Sequence, residues 1–442
     1  MIHPLRGRGR VSRVLAAAAA AAGFAASPAW ADAPCTTVTK PFSQYFSPAP
    51  GKYDALVRAA NLCYADGTHW REYNYLAKKD DDYFQAFEFY RNKDWNPGQK
   101  VPLIIWSHPT GPSQVLMRDS CAADASCPYA NRLLQPAIQS GYALMSIQFR
   151  HPRASQTSTG VQLDIPNTDI ANAVQWVRAH ADDMGVDKDN IFLAGQSRGT
   201  LALLTAFMND LGNPTAPDWH SQSSRVNAVF AVQAQTTYEH DELRDLFIEP
   251  TTTTPIPPDY PPVFDYHAYL DGADPHFVNP GSALHELDLN DPPFWLRYER
   301  QPIYEADNAT IKLLGSRVAD PGQDVMKDGI CYEKNFVKRY PQMDGTGCLD
   351  VHNPDFGVAL MNSFIALNPK DVQKKKVKVQ YGYYTGLTKD LDFVSDHFFD
   401  NYTCFFIPNT TAAGEALRQQ AMVPGKAINC GIADMAWPPA KP

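Results

Sequence analysis

The residues Gly195-Gln-Ser-Arg-Gly199 stand between a short apolar run and a segment with helical periodicity. A serine at a tight turn from strand to helix takes strained backbone angles, and its hydroxyl projects above the sheet. Glycines two residues to either side leave room for the close packing around such a turn. The pattern arises often by chance, and a strand before it with a helix after it makes it specific. The chemistry it points to is attack by Ser197 on a carbonyl carbon, with the following helix N-terminus adding positive potential where the negative oxygen forms. That oxygen must be held by backbone N–H groups from two places. One is Arg198. The other is expected in Ser107-His-Pro-Thr-Gly-Pro112, after an earlier apolar run. Proline has no N–H, so Thr110 and Gly111 are the candidate donors. The Arg198 side chain has two readings: a two-point contact to a substrate carboxylate, or a salt bridge across the helix start.

These residues need a scaffold. Phe84–Tyr90 alternates with period two, and Val101–Trp106 is a short apolar run bounded by turn residues. Both read as strands. A loop with Cys121 and Cys127 follows, then a helix-like stretch over 129–140 and a buried strand over 141–149. Residues 167–184 place Ile170, Ala173, Val174, Val177 and Ala181 on one helical face, with Asn167 or Thr168 as cap. Strand over 190–195, helix over 200–209 and strand over 226–232 continue the alternation. Alternating strands and helices imply a mostly parallel sheet with helices on both faces. Residues 32–75 show no clear repeat. From about 238 to 291 the alternation stops in a stretch rich in proline and aromatics, which reads as a cap insertion. Strand resumes over 292–298, and a second insertion is expected at about 300–348. Helix over 354–367 and a last strand over 377–384 follow.

The N-terminus carries Arg6, Arg8, Arg10 and Arg13, an apolar run from Val14 to Ala26, and Ala29-Trp-Ala31. This is the layout of a secretory signal cleaved near Ala31. The apolar run is shorter than the roughly 20 residues that span a bilayer, and no later segment is long and apolar enough. Export would place all eight cysteines of the 442-residue chain in an oxidising compartment. They fall into four local pairs, expected as disulfides 35–63, 121–127, 331–348 and 404–430. No spacing fits a zinc site, so no metal is expected. Lys and Arg number 39 against 48 Asp and Glu, and removing the signal arginines leaves 35 against 48. That acidic balance argues against nucleic acid as a partner. An apolar fraction of 44% excludes wholesale disorder. Oligomeric state is not readable from the chain.

Three blocks together carry a resemblance. Gly141–Arg150, Asp169–Arg178 and Gly185–Gly199, with the strand at 101–106, resemble the α/β-hydrolase fold. Within it the chain is similar to secreted esterases and lipases of hormone-sensitive-lipase-like and feruloyl-esterase-like type. The likeness covers about 85–235 well and 292–400 loosely. The family's His-Gly-Gly-Gly becomes His108-Pro-Thr-Gly111, Arg198 replaces a small residue, and Thr200 replaces a common glycine. The resemblance implies a triad in the order serine, acid, histidine, without cofactor. His397 follows the last strand and is the preferred base. His352 sits one strand–helix unit earlier and is the alternative. Asp350 stands just before the helix at 354–367 and is the preferred acid, with Glu299, Glu305 and Asp307 as rivals.

On this reading the chain is one hydrolase domain, 32–442, behind a signal at 1–31. It would cleave carboxylic esters of small-molecule or polymer-linked type. One alternative is a peptidase of prolyl-oligopeptidase-like type, against which only about 80 residues precede the first core strand. Another is a non-catalytic binding protein on the same fold, against which the intact serine turn argues.

Overall fold

Val101–Ser107 is a strand buried from Leu103 onward because apolar layers lie on both sides of it. In this computed structural model the same layering holds for the central strands of the main sheet. The structure describes residues 34–49, 56–74, 79–95, 98–109, 133–150, 164–237, 282–288, 291–292 and 294–298. Shorter pieces are 118, 156–157, 160–161, 302–306, 311–316, 325–327, 330–332, 380–383 and 406, and helical positions between 356 and 366. All lie in the unit Ala31–Pro442.

The strands are β1 (Phe46–Pro48), β2 (Leu56–Cys63), β3 (His69–Asn74), β4 (Lys79–Phe84), β5 (Ala86–Asn92), β6 (Val101–Ser107) and β7 (Ala143–Ile147). Then come β8 (Gln156–Thr157), β9 (Gly160–Val161), β10 (Val186–Gln196), β11 (Val229–Val232) and β12 (Phe294–Tyr298). The remainder are β13 (Pro302–Ala306), β14 (Ile311–Ser316), β15 (Val325–Lys327), β16 (Ile330–Tyr332) and β17 (Gln380–Tyr383). Helices are α1 (Gln135–Gln139), α2 (Asp164–Met184), α3 (Leu201–Phe207) and α4 (Ala283–Glu286).

Among the described residues one sheet has the order β1-β2-β5-β7-β6-β10-β11-β12-β17. The first three joins are antiparallel and every later one is parallel. Side chains alternate between two layers, as strand geometry requires. One layer holds Leu103, Ile105, Met145, Leu193, Val229, Ala231 and Leu296, packed with residues of α2 and α3. The other holds Ile104, Trp106, Leu144, Phe192, Phe230, Val232 and Trp295, packed with Leu133, Leu134, Ala137, Ile138 and Phe406. Helical segments therefore lie on both faces. The expected stripe on α2 is real: Ile170, Ala173, Val174, Val177 and Ala181 are all buried in the first layer. Each large side chain there contributes on the order of 1.5–3 kcal/mol.

Some boundaries moved. Helix α2 starts at Asp164, ahead of the expected caps, because Pro166 is tolerated in a first helical turn. The helix expected over 129–140 is described only as α1, led by Leu133 and Leu134. The strand expected over 84–90 is split by a bend at Gln85. Residues 32–75, where no element was evident, contain β1, β2 and β3. Strand β2 hides its period because the register shifts between Ala59 and Leu62, and Asn61 takes φ 49° there.

The stretch expected as a second insertion contains the hairpins β13–β14 and β15–β16. Of the stretch expected as a cap insertion only 282–288 and 291 are described. Its stems meet: Thr237 and Ser282 form an antiparallel bridge, and the Ala283 N–H donates to the Thr236 carbonyl at 2.9 Å. The 35–63 disulfide is present. Cys331 is on β16, but its expected partner Cys348, the 121–127 and 404–430 pairs and the signal at 1–31 fall outside the described residues. Among those residues no helix is long and apolar enough to cross a membrane, and no cluster of three or more His, Cys, Asp or Glu could hold a metal.

Candidate active site

Strand β6 has β7 on one side and β10 on the other, so successive connections leave it in opposite directions. Such a switch point opens a crevice at the carboxyl ends of the strands. There β6 ends at Ser107, directly opposite Gly195 of β10.

After Gln196 the backbone turns through Ser197 at φ 53°, a left-handed angle that a residue with a Cβ adopts at a cost. Ser197–Thr200 form a 3-10 turn that runs into α3. The glycines are required by contact. A Cβ on Gly195 would lie 2.0 Å from the Gly199 carbonyl oxygen, and one on Gly199 would lie 1.9 Å from the Ser107 carbonyl oxygen. Ser107 closes the turn, its hydroxyl donating to the Gly199 carbonyl at 2.6 Å. Thr200 Oγ1 donates to the Ser197 carbonyl at 2.6 Å and accepts from the Gln235 N–H at 3.2 Å. Over residues 191–200 every residue is buried except Ser197, which is half-buried. Ser197 is thus the one residue of this stretch that keeps appreciable exposure.

Arg198 follows the serine. Its side chain does not bridge the helix start. It runs back under the site, almost fully buried, and pairs with Glu72 of β3 at 2.9 Å. A second guanidinium nitrogen donates to the Phe149 carbonyl at 2.6 Å, and the guanidinium carbon lies 4.6 Å from the Phe149 ring centroid. These contacts occupy both terminal nitrogens, while the buried Nε has no hydrogen-bond partner among the described residues, and the substrate-carboxylate reading is left without support.

His108 follows β6 and is fully buried. Its Nδ1 faces the Pro109 carbonyl at 2.9 Å and its Nε2 faces the Gln148 side-chain amide at 3.0 Å. Burial first, then the Arg198 charge, pushes the imidazole down to about 3, so the ring is neutral. A neutral ring has one N–H. Donation from Nδ1 to Pro109 leaves Nε2 to accept, which the Gln148 amide NH2 satisfies when turned toward it. The ring thereby braces the start of the loop that carries Thr110 and Gly111.

Beside Ser197, Gln196 Nε2 donates to Gln233 Oε1 at 3.1 Å. Gln233 takes φ 55° at the end of β11, a second strained position in the crevice.

The structure brings Ser197 and the Arg198 backbone to one place. Thr110, Gly111, Asp350, His352, Glu299, Asp307 and His397 lie outside the described residues. Glu305 is on β13, across from Lys312. Thr236 Oγ1 donates to the Phe356 carbonyl at 2.7 Å, and Phe356 follows the candidate acid Asp350 by six positions. Sequence reasoning missed Glu72, Gln148 and the role of Thr200. Glu72 has no local signal, whereas the departure from glycine at 200 was visible.

Residues 92–240, about a third of the chain, match the BD-FAE family. Comparison with curated proteins yields no significant match. Among solved structures, a thermophilic esterase from Thermogutta terrifontis is similar at 20% identity and TM-score 0.33, over 48% of this chain and 67% of that one. An acetyl ester-xyloside bifunctional hydrolase from Caldicellulosiruptor lactoaceticus is similar at 15% identity and TM-score 0.31, over 49% of this chain and 66% of that one. The fold is carried by the strand order β1-β2-β5-β7-β6-β10-β11-β12-β17 and by the matched segment. The chain has the α/β-hydrolase fold and resembles the esterases built on it.

Proposed function

We propose that this protein is an exported serine esterase. The observation that carries the reading is Ser197, held at φ 53° between two glycines that admit no Cβ and half-exposed at the sheet's switch point. Ser197 Oγ attacks the ester carbonyl carbon while His397 takes its proton. Asp350 fixes the imidazole tautomer. The Arg198 N–H, with that of Thr110 or Gly111, holds the oxyanion. The tetrahedral intermediate collapses, His397 protonates the departing alcohol, and water then releases the acid by the same steps. The ester is of small-molecule or polymer-linked type. Export is supported by the layout of residues 1–31 and by the Cys35–Cys63 disulfide, which an oxidising compartment favours.

The test is a fluorophosphonate probe and a p-nitrophenyl ester series, with Ser197→Ala beside the wild type. Labelling and turnover that both vanish in the variant support the reading. Turnover that survives in Ser197→Ala ends it. His397→Ala and His352→Ala, assayed together, decide the base: the variant that loses turnover marks it.

A further inference from the structure

The β3–β4 hairpin precedes Ser197 by more than a hundred residues, yet its Glu72 is the carboxylate partner of the residue beside the serine. We propose that the Glu72–Arg198 pair sets the direction of the Arg198 N–H, which makes this hairpin part of the oxyanion-binding machinery and Glu72 a positioning residue. The proposal rests on the esterase reading above.

The guanidinium is held from two directions. Glu72 takes one nitrogen and the segment just after β7, through the Phe149 carbonyl and ring, takes the other and a face. The carboxylate is fixed in turn, since the Trp70 indole N–H donates to its second oxygen at 3.1 Å. Both side chains are almost fully buried. The hairpin does not float. At its base Gln85 Nε2 donates to Asp169 Oδ1 at 2.7 Å, and Asp169 also accepts the Arg150 backbone N–H at 2.9 Å. Arg150 neighbours Phe149, so one connected set of bonds holds both jaws of the clamp. A side chain pinned at its far end leaves its own backbone little freedom to rotate. An oxyanion donor must be aimed before the charge develops, and small misplacement is expensive. The pair supplies that aim from outside the turn.

Glu72→Gln removes the charge and keeps the shape. The guanidinium then loses its carboxylate and relaxes toward other acceptors, carrying the Arg198 N–H with it. With a short-chain p-nitrophenyl ester, kcat is expected to fall about 10- to 100-fold with KM within about threefold. Affinity for a boronic acid that mimics the tetrahedral adduct should fall by the same factor as kcat/KM. Glu72→Gln/Arg198→Gln, a neutral amide pair, should recover at least about fivefold over Glu72→Gln, as coupled partners do in double-mutant cycles. Arg198→Lys keeps the charge and loses the fork, and should lie between the wild type and Glu72→Gln. A folded Glu72→Gln with wild-type kcat overturns the proposal. So does a loss of kcat with boronate affinity unchanged. If Glu72→Gln does not fold, Arg198→Lys decides by the same two readings. Wild-type protein that the fluorophosphonate does not label on Ser197 sinks the esterase reading and this proposal together; a labelled wild type with an indifferent Glu72→Gln sinks this proposal alone.

Discussion

A Cβ placed on Gly199 would stand 1.9 Å from the carbonyl oxygen of Ser107, closer than any real contact allows. Strand β6 and the turn after β10 therefore touch backbone to backbone. Gly199→Ala must push the two apart or fail to fold. Overpacking of this kind costs about 1–3 kcal/mol and often more when backbone has to shift. We expect a lower melting temperature and loss of fluorophosphonate labelling, read by calorimetry and mass spectrometry. Gly98→Ala is the control, since a Cβ there meets nothing within 4 Å.

Thr200 gives a milder test of the same turn. Thr200→Val is nearly isosteric and removes the hydroxyl that donates to the Ser197 carbonyl and accepts from Gln235. Losing a buried hydrogen bond of this sort costs about 1 kcal/mol in stability. If the hydroxyl also fixes the strained angle at Ser197, kcat falls about tenfold, an interval of about 1.4 kcal/mol in barrier height. Thr200→Ser should restore both. Steady-state kinetics on the two variants, with urea melts alongside, separates the effects.

Acid should weaken the fold through His108. In the unfolded chain this ring takes a proton near pH 6.5, but in the folded protein only near pH 3. Between those values the unfolded state binds more protons, so stability falls as pH falls. It is fully retained above about pH 6.5. The limiting slope is about 1.4 kcal/mol per pH unit for one such group. His108→Gln should flatten the acid limb by up to that amount in urea midpoints taken from pH 4 to pH 7. An unchanged limb would mean the ring is charged in the fold or solvated.

The Cys35–Cys63 bond closes a loop with a sequence separation of 28. In the chain-entropy picture that closure stabilises the fold by about 3–4 kcal/mol. Cys35→Ser/Cys63→Ser, or mild reduction, should lower the urea midpoint accordingly. The effect should fall on β2 and the adjoining edge of the sheet, which amide exchange can localise.

The parallel half of the sheet was readable because buried strands announce themselves: Val101–Trp106, 190–195 and 226–232 are apolar runs between turn signals. The serine turn was readable because glycine, serine and the strand–helix change coincide within five residues. Strand β2 was not, since Asn61 at φ 49° breaks its alternation. The Glu72 contact was not, since the pairing joins residues whose proximity depends on the register of a whole sheet. Arg198 shows the limit well. Its position beside the serine was plain, and both the substrate contact and the helix-start bridge were reasonable chemistry. The partner that took the charge lay in a segment with no recognisable element.

The bridge between Thr237 and Ser282 means that the chain departs for its proline-rich excursion and comes back at one spot. Residues joined in such a pair stand about 5 Å apart. Replacing positions 238–281 with a short turn therefore leaves the ends of the sheet core where they already are, and the entropy of closing a longer or shorter excursion changes only with the logarithm of its length. That makes the segment an exchangeable cassette: evolution or an engineer can swap it while the sheet keeps its register.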